Sequence, residues 1–256
     1  MTKPRVCVLR AAGTNCDGET VTACERAGAL AERVHVNRLI ENPRKLSEFQ
    51  ILIIPGGFTY GDDIAAGKVL AVQLANTLAQ EVGRFVSSDK LVMGICNGFQ
   101  VLVKTGLLPD GKVGPQTVTL TANDSNRFED RWITLRAETS RSIFVKTGEI
   151  YQLPVAHGEG KFVARDPNVL RRLVENQQVL FRYIGPDGGP ASYPLNPNGS
   201  TDDIAGIIDE SGRIMGLMPH PERHVEPWQN PWWTRNGLAS EGDGLAIFRN
   251  AVGYFQ

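Results

Sequence analysis

The chain has 256 residues, 41% of them apolar and 21% charged, with a formal net charge of −1. That length can bury a sizeable core, and the balance excludes disordered, collagen-like and coiled-coil classes. Near-zero net charge supplies no field for nucleic acid or an anionic membrane, and no apolar run approaches the roughly 20 residues of a membrane helix.

Met1-Thr2-Lys3-Pro4-Arg5 leads into a short apolar run without the long apolar stretch and cleavage site of a secretion signal. The cysteines Cys7, Cys16, Cys24 and Cys96 include no C-x-x-C pair, so they read as free thiols in a reducing compartment. A soluble cytoplasmic chain with no structural metal is expected.

In chain order, Val6 to Leu9 reads as a strand, and Asn15 or Asp17 caps a helix that Gly28 stops. Val34 and Val36 suggest a second strand. Ile51 to Ile54 is a buried strand closed by Pro55-Gly56-Gly57. Asp63 to about Val86 reads as one long amphipathic helix, Leu91 to Ile95 as another buried strand, and Asn97 to Leu107 as a helix. Strands apolar on both faces, separated by helices, predict a parallel sheet covered on both sides. Beyond residue 117 the pattern changes to short β-prone segments: Val118 to Leu120, Trp132 to Leu135, Val179 to Ile184, Ile204 to Ile208 and Ile214 to Met218. These predict antiparallel strands that extend the sheet or form a second small one, before a last helix from about Gly244 to Tyr254. The fold expected is α/β, with a doubly wound, mostly parallel central sheet flanked by helices and a small antiparallel extension, in one domain over residues 1–256.

Gly94-Ile95-Cys96-Asn97-Gly98 joins a strand to a helix in the G-x-nucleophile-x-G pattern of a strand-turn-helix elbow. Small flanking residues let strand and helix approach, and the thiol projects at the carboxyl edge of the sheet, where open α/β sheets bind ligands. A helix N-terminus behind it favours thiolate. The Asn97 N–H can face a developing oxyanion. A buried core cysteine is the bland alternative; Cys7 in a strand and Cys24 in a helix fit that description, and Cys16, in the polar turn Gly13 to Asp17, reads as structural or as lying near the pocket.

His157-Gly158-Glu159 and His220-Pro221-Glu222 are both H-x-E pairs, a spacing that puts a carboxylate on the same side as the imidazole in extended chain. Rigidity favours the second, because Pro219 and Pro221 bracket His220 and the apolar run from Ile214 delivers it to a strand end. His157, among glycines in a loop, suits a pocket wall. His35 reads as packing or surface and His224 as exposed. Gly56 to Gly61 has phosphate-loop glycine spacing, but Asp62 and Asp63 stand where Lys and Ser/Thr belong. A second oxyanion donor from Gly57 is the better use of that loop.

With these residues in view, the chain resembles the class I glutamine amidotransferases, and within them the glutaminase subunits of phosphoribosylformylglycinamidine synthase. The resemblance rests on Gly13 to Asp17, Pro55 to Asp62, Gly94 to Gln100, Pro154 to Gly160 and Gly216 to Arg223. It implies a triad of Cys96, His220 and Glu222, an oxyanion hole from Gly57 and Asn97, and a glutamine pocket touched by Phe58, Gln100 and His157. It also implies no cofactor in this chain. ATP and magnesium would belong to a synthetase partner, which takes the ammonia and works with a small accessory subunit in purine biosynthesis. Two stretches depart from the smallest family members. Glu226 to Asp243, with Trp228, Trp232 and Trp233, reads as an interface element or lid, or as plain core packing. Asn123 to Arg127 reads as an inserted loop. A glutaminase for another acceptor, a stand-alone γ-glutamyl hydrolase or cysteine peptidase, and an inactive binding module are the competing functions.

Overall fold

The computed structural model describes residues 2–256. Eleven strands form: β1 (Arg5–Arg10), β2 (Leu30–His35), β3 (Ile51–Ile54), β4 (Leu91–Ile95), β5 (Val118–Thr121), β6 (Glu129–Ala137), β7 (Ile150–His157), β8 (Lys161–Ala164), β9 (Val179–Tyr183), β10 (Ile204–Ile208) and β11 (Ile214–Leu217). The helices are α1 (Asp17–Arg26), α2 (Val36–Glu41), α3 (Lys68–Val72), α4 (Ala79–Ser87), α5 (Asn97–Thr105), α6 (Leu107–Asp110), α7 (Pro167–Glu175), α8 (Trp233–Asn236) and α9 (Gly244–Gly253). None is long and apolar enough to cross a membrane among the described residues.

Nine strands make one sheet in the order β2-β1-β3-β4-β11-β10-β9-β6-β7, and β5 pairs with β8 in a separate two-stranded sheet. The β2-β1-β3-β4-β11 side is parallel throughout, and the remainder is antiparallel. Every residue of β3, β4, β10 and β11 is buried, as continuous apolar runs covered on two faces require. At about 1.5–3 kcal/mol for each fully buried large aliphatic side chain, these strands are a main source of folding free energy.

The antiparallel extension is therefore continuous with the main sheet, and β11 is the exception to its predicted direction. It runs parallel to β4, with Gly216 opposite Gly94 and Leu217 opposite Ile95. This register brings His220, just beyond β11, to the same edge as Cys96, just beyond β4.

Three other expectations are corrected. Val36 opens α2 rather than extending β2, because His35 caps that helix by accepting from the Asn37 N–H. The predicted helix from Asp63 starts only at Lys68 and contains a π-helical stretch over Gln73–Thr77. Left-handed backbone at Asp62, Ile64 and Gly67 stops any helix from forming before that. The strands β7 and β8 and the helix α7 had no predicted counterpart.

Helix α5 is buried on all sides except Lys104. It can lie that deep only because Gly98 lacks a side chain: a Cβ there would sit 1.8 Å from the Ile54 carbonyl oxygen of β3. Gly98→Ala should therefore cost about 1–3 kcal/mol by overpacking. A urea midpoint unchanged from wild type would show that the helix has slack to move.

Candidate active site

Four parallel strands, β1, β3, β4 and β11, end at one edge. The segments that follow them are Ala11–Cys16, Pro55–Asp62, Cys96 and His220. Cys96 occupies the elbow with φ +52° and ψ −106°, outside the regions a cysteine normally adopts. Strain of this kind costs about 1–3 kcal/mol and persists only where neighbours hold it. Here the Cys96 N–H donates to Leu217 O at 2.8 Å, and its carbonyl accepts from the N–H groups of Phe99 and Gln100. The residue is 6% exposed, and its sulfur lies 3.8 Å from the Ala156 carbonyl oxygen.

His220 is fixed by its backbone N–H, which donates to Pro154 O at 2.8 Å, and by Nδ1–H, which donates to Glu222 Oε1 at 2.6 Å. Both side chains are buried. Burial opposes charge on the imidazole. The Glu222 carboxylate beside it, then the Cys96 sulfur, act the other way and hold its pKa well above the ordinary histidine value. Nε2 meets no hydrogen-bond partner in normal geometry among the described residues, while the Cys96 sulfur is near enough to help raise the imidazole pKa. Catalytic contacts of this sort commonly tighten only with substrate bound.

Gly57, at φ +145°, packs so tightly on Gly13, Thr14 and Asn15 that a Cβ would lie 2.8 Å from the Gly13 carbonyl oxygen. Neither the Gly57 nor the Asn97 N–H donates to a protein acceptor among the described residues. The neighbouring Gly56 leaves room for the base, because a Cβ there would meet His220 Cε1 at 2.8 Å.

The predicted pocket residues separate. Phe58 is 47% exposed at the rim beside Phe128. Gln100 is buried, with its oxygen accepting from Asn97 Nδ2 and its Nε2 donating to Glu159 O at 2.7 Å. His157 is the last residue of β7 rather than a loop residue, and it is buried. Asn123, from the stretch read as an insertion, accounts for this placement. Its amide donates to the carbonyls of His157 and Arg127, and its oxygen accepts from Gly160 N and His157 Nδ1. Burial, with a smaller contribution from nearby His220, pushes the His157 pKa down to about 4.

Cys16, read as structural or as lying near the pocket, lies beside His220, its sulfur 4.0 Å from Nδ1 and accepting from Arg223 Nη2 at 3.2 Å. Its position just after β1, at the shared strand edge, was the available signal. His224, read as exposed, is buried, with Nδ1 donating to Gln152 O at 2.7 Å and Trp132 packed edge-on against the ring. Trp228, Trp232 and Trp233 are 58%, 40% and 41% exposed, which removes plain core packing as their role.

A cysteine at a strand-helix elbow, a buried His–Glu pair and two free backbone donors define a glutamine amidotransferase of the class I type. The family model for the CobB/CobQ-like glutamine amidotransferase domain matches residues 3–255, and the chain belongs to that family. Within it, the chain is 50% identical over 254 residues to phosphoribosylformylglycinamidine synthase subunit PurQ of Dehalococcoides mccartyi, covering 98% of both chains. It is 42% identical over 266 residues to the PurQ subunit of Methanococcus maripaludis, covering 98% of this chain and 97% of that one. The solved PurLQS structure from Thermotoga maritima matches it with a TM-score of 0.75 at 33% identity, with 100% of both chains covered.

Because His157 is neutral when folded and protonates near the ordinary value of 6.5 when unfolded, it should cost stability as pH falls from about 6.5 towards about 4. By pH 5 the loss reaches about 2 kcal/mol. His157→Gln should flatten that part of the stability–pH curve in urea titrations; an unchanged slope would assign the acid sensitivity elsewhere.

Proposed function

We propose that this chain hydrolyses glutamine through a Cys96 thioester and passes the ammonia to a synthetase subunit that makes formylglycinamidine ribonucleotide. The observation that carries this reading is the buried His220–Glu222 pair, with its raised imidazole pKa, at the same sheet edge as the Cys96 elbow. The partner assignment is supported by likeness to PurQ subunits along nearly the whole chain.

The Cys96 sulfur, its proton passed to His220, attacks the side-chain carbonyl carbon of glutamine. The oxygen gains negative charge and meets the N–H groups of Gly57 and Asn97; losing one such donor typically costs about 100- to 1,000-fold. The imidazolium then gives its proton to the departing nitrogen, and ammonia leaves. Neutral His220 next takes a proton from water, which attacks the thioester, releases glutamate and restores the thiol. Glu222 keeps Nδ1 protonated throughout, so that Nε2 does the exchanging.

In this reading the chain carries no cofactor of its own, and ATP and magnesium act on the synthetase partner. The Gly56–Gly61 loop supports this, since Asp62 and Asp63 replace the cationic and hydroxyl side chains that a phosphate loop needs. A small accessory subunit completes the assembly, which works in the cytoplasm without nucleic acid or membrane.

Cys96→Ala should abolish glutamate release from glutamine in the presence of the partner while leaving the unfolding midpoint within about 1 kcal/mol of wild type; residual turnover would remove the nucleophile assignment. The raised His220 pKa sets the pH response. Below it the imidazolium is present, and as pH rises through it the acid is lost. The kcat should therefore hold through neutrality and fall only above the ordinary imidazole range, and a fall centred near 6.5 would contradict the coupling to Glu222.

A further inference from the structure

The Asn97 side chain is buried, and its amide uses all four hydrogen-bonding positions. The oxygen accepts from Thr59 N at 3.3 Å and Thr59 Oγ1 at 2.7 Å. The nitrogen donates to Asp62 Oδ1 and to Gln100 Oε1, both at 2.9 Å. Three of these bonds therefore reach into the turn that follows Gly57, and the fourth leads through Gln100 to the carbonyl of Glu159.

That turn carries only two backbone hydrogen bonds of its own, Gly61 N to Phe58 O at 2.9 Å and Asp63 N to Tyr60 O at 3.3 Å, against a strained backbone. Tyr60, Asp62 and Ile64 all adopt left-handed backbone, with φ of 56°, 53° and 71°. For a β-branched residue such as Ile64 this is a true outlier. Ile64 is also 90% exposed, so packing does not hold it there. Conformations of this kind persist only when surrounding contacts over-determine them. On one side the turn is tied to the segment after β1, through Phe58 N to Gly13 O at 2.9 Å and Tyr60 N to Ala12 O at 2.7 Å. On the other side it is tied to Asn97, with Asp62 also accepting from Gly67 N.

We propose that the Asn97 carboxamide is a positioning group: by clamping the Thr59–Asp62 turn to the start of α5, it fixes the Gly57 N–H relative to Asn97's own N–H. The inference rests on the glutaminase reading above. One residue then sets both oxyanion donors, its backbone supplying the first and its side chain holding the second. Such donors act where charge develops, so misplacing one weakens the transition state far more than the bound amide. The signature is a fall in kcat with KM nearly unchanged.

Thr59→Val removes the hydroxyl at nearly constant volume, and Thr59→Ser keeps it. In the complex with the synthetase subunit, Thr59→Val should lower the glutaminase kcat by about tenfold with KM within about twofold, since the turn loses one of several ties. Thr59→Ser should restore the rate, and Asn97→Ala should lose about 100-fold. Melting temperatures identify any variant that has lost its fold; if Asn97→Ala unfolds, the Thr59 pair decides. A folded Thr59→Val with wild-type kcat, equal losses in Thr59→Val and Thr59→Ser, or a change confined to KM would each overturn the clamp. Cys96→Ala run alongside separates the two ideas: glutamate release persisting there defeats the glutaminase reading, whereas its loss there with unaffected Thr59→Val defeats only the clamp.

Discussion

The contact on which the site depends is the one between the backbone of α5 and the end of β3. Helix α5 starts at the nucleophile and sinks into the sheet because Gly98 presents no Cβ to Ile54 O. Gly94 does the same from the strand side, where a Cβ would meet Leu102 Cδ1 at 2.6 Å and Gly98 O at 2.7 Å. That closeness forces the chain through a sharp reversal, and Cys96 absorbs it in a positive-φ conformation. The same geometry leaves the Asn97 N–H free and buries the Asn97 side chain against the Thr59–Asp62 turn. The Cys96 conformation, the free Asn97 N–H and the contacts of Asn97 with the Thr59–Asp62 turn thus follow from one packing constraint.

Electrostatics divide the two H-x-E histidines that the sequence could not separate by spacing. Both are buried, and burial disfavours charge on both. His220 has a carboxylate at 2.6 Å, which raises its pKa. His157 has only the neutral amide of Asn123 at 3.2 Å and gives its proton up. Two similar side chains near one another are therefore shifted in opposite directions, His220 up and His157 down.

Much of the parallel half was legible, because its strands are continuous apolar runs ended by glycine-containing turns. The placing of Cys96, His220 and Glu222 at one edge was legible for a related reason: they lie next to strand ends, where backbone direction and edge are set by topology. The remainder was hidden by rules that hold on average. Pro154 lies inside β7, and proline normally argues against a strand, but β7 is at the sheet edge and tolerates it. The α7 start, with Asp166 accepting from Asn168 N and Val169 N ahead of Pro167, carried a recognisable cap that was not used. Ala- and Leu-rich sequence from Asp63 suggested helix, while the hydrogen bond from Asn97 that holds Asp62 is tertiary and leaves no periodic trace. Asn123 was unreadable for the same reason, since its partner lies 34 residues away.

The place of β11 in the sheet has a bearing on synthesis. This strand lies between β4 and β10, and it alone joins the parallel side to the antiparallel side through the sheet. It is also the last strand to leave the ribosome. Until residues 214–217 are made, neither of the two ladders that join the half-sheets can form, and the strand that carries His220 to the edge of Cys96 is missing.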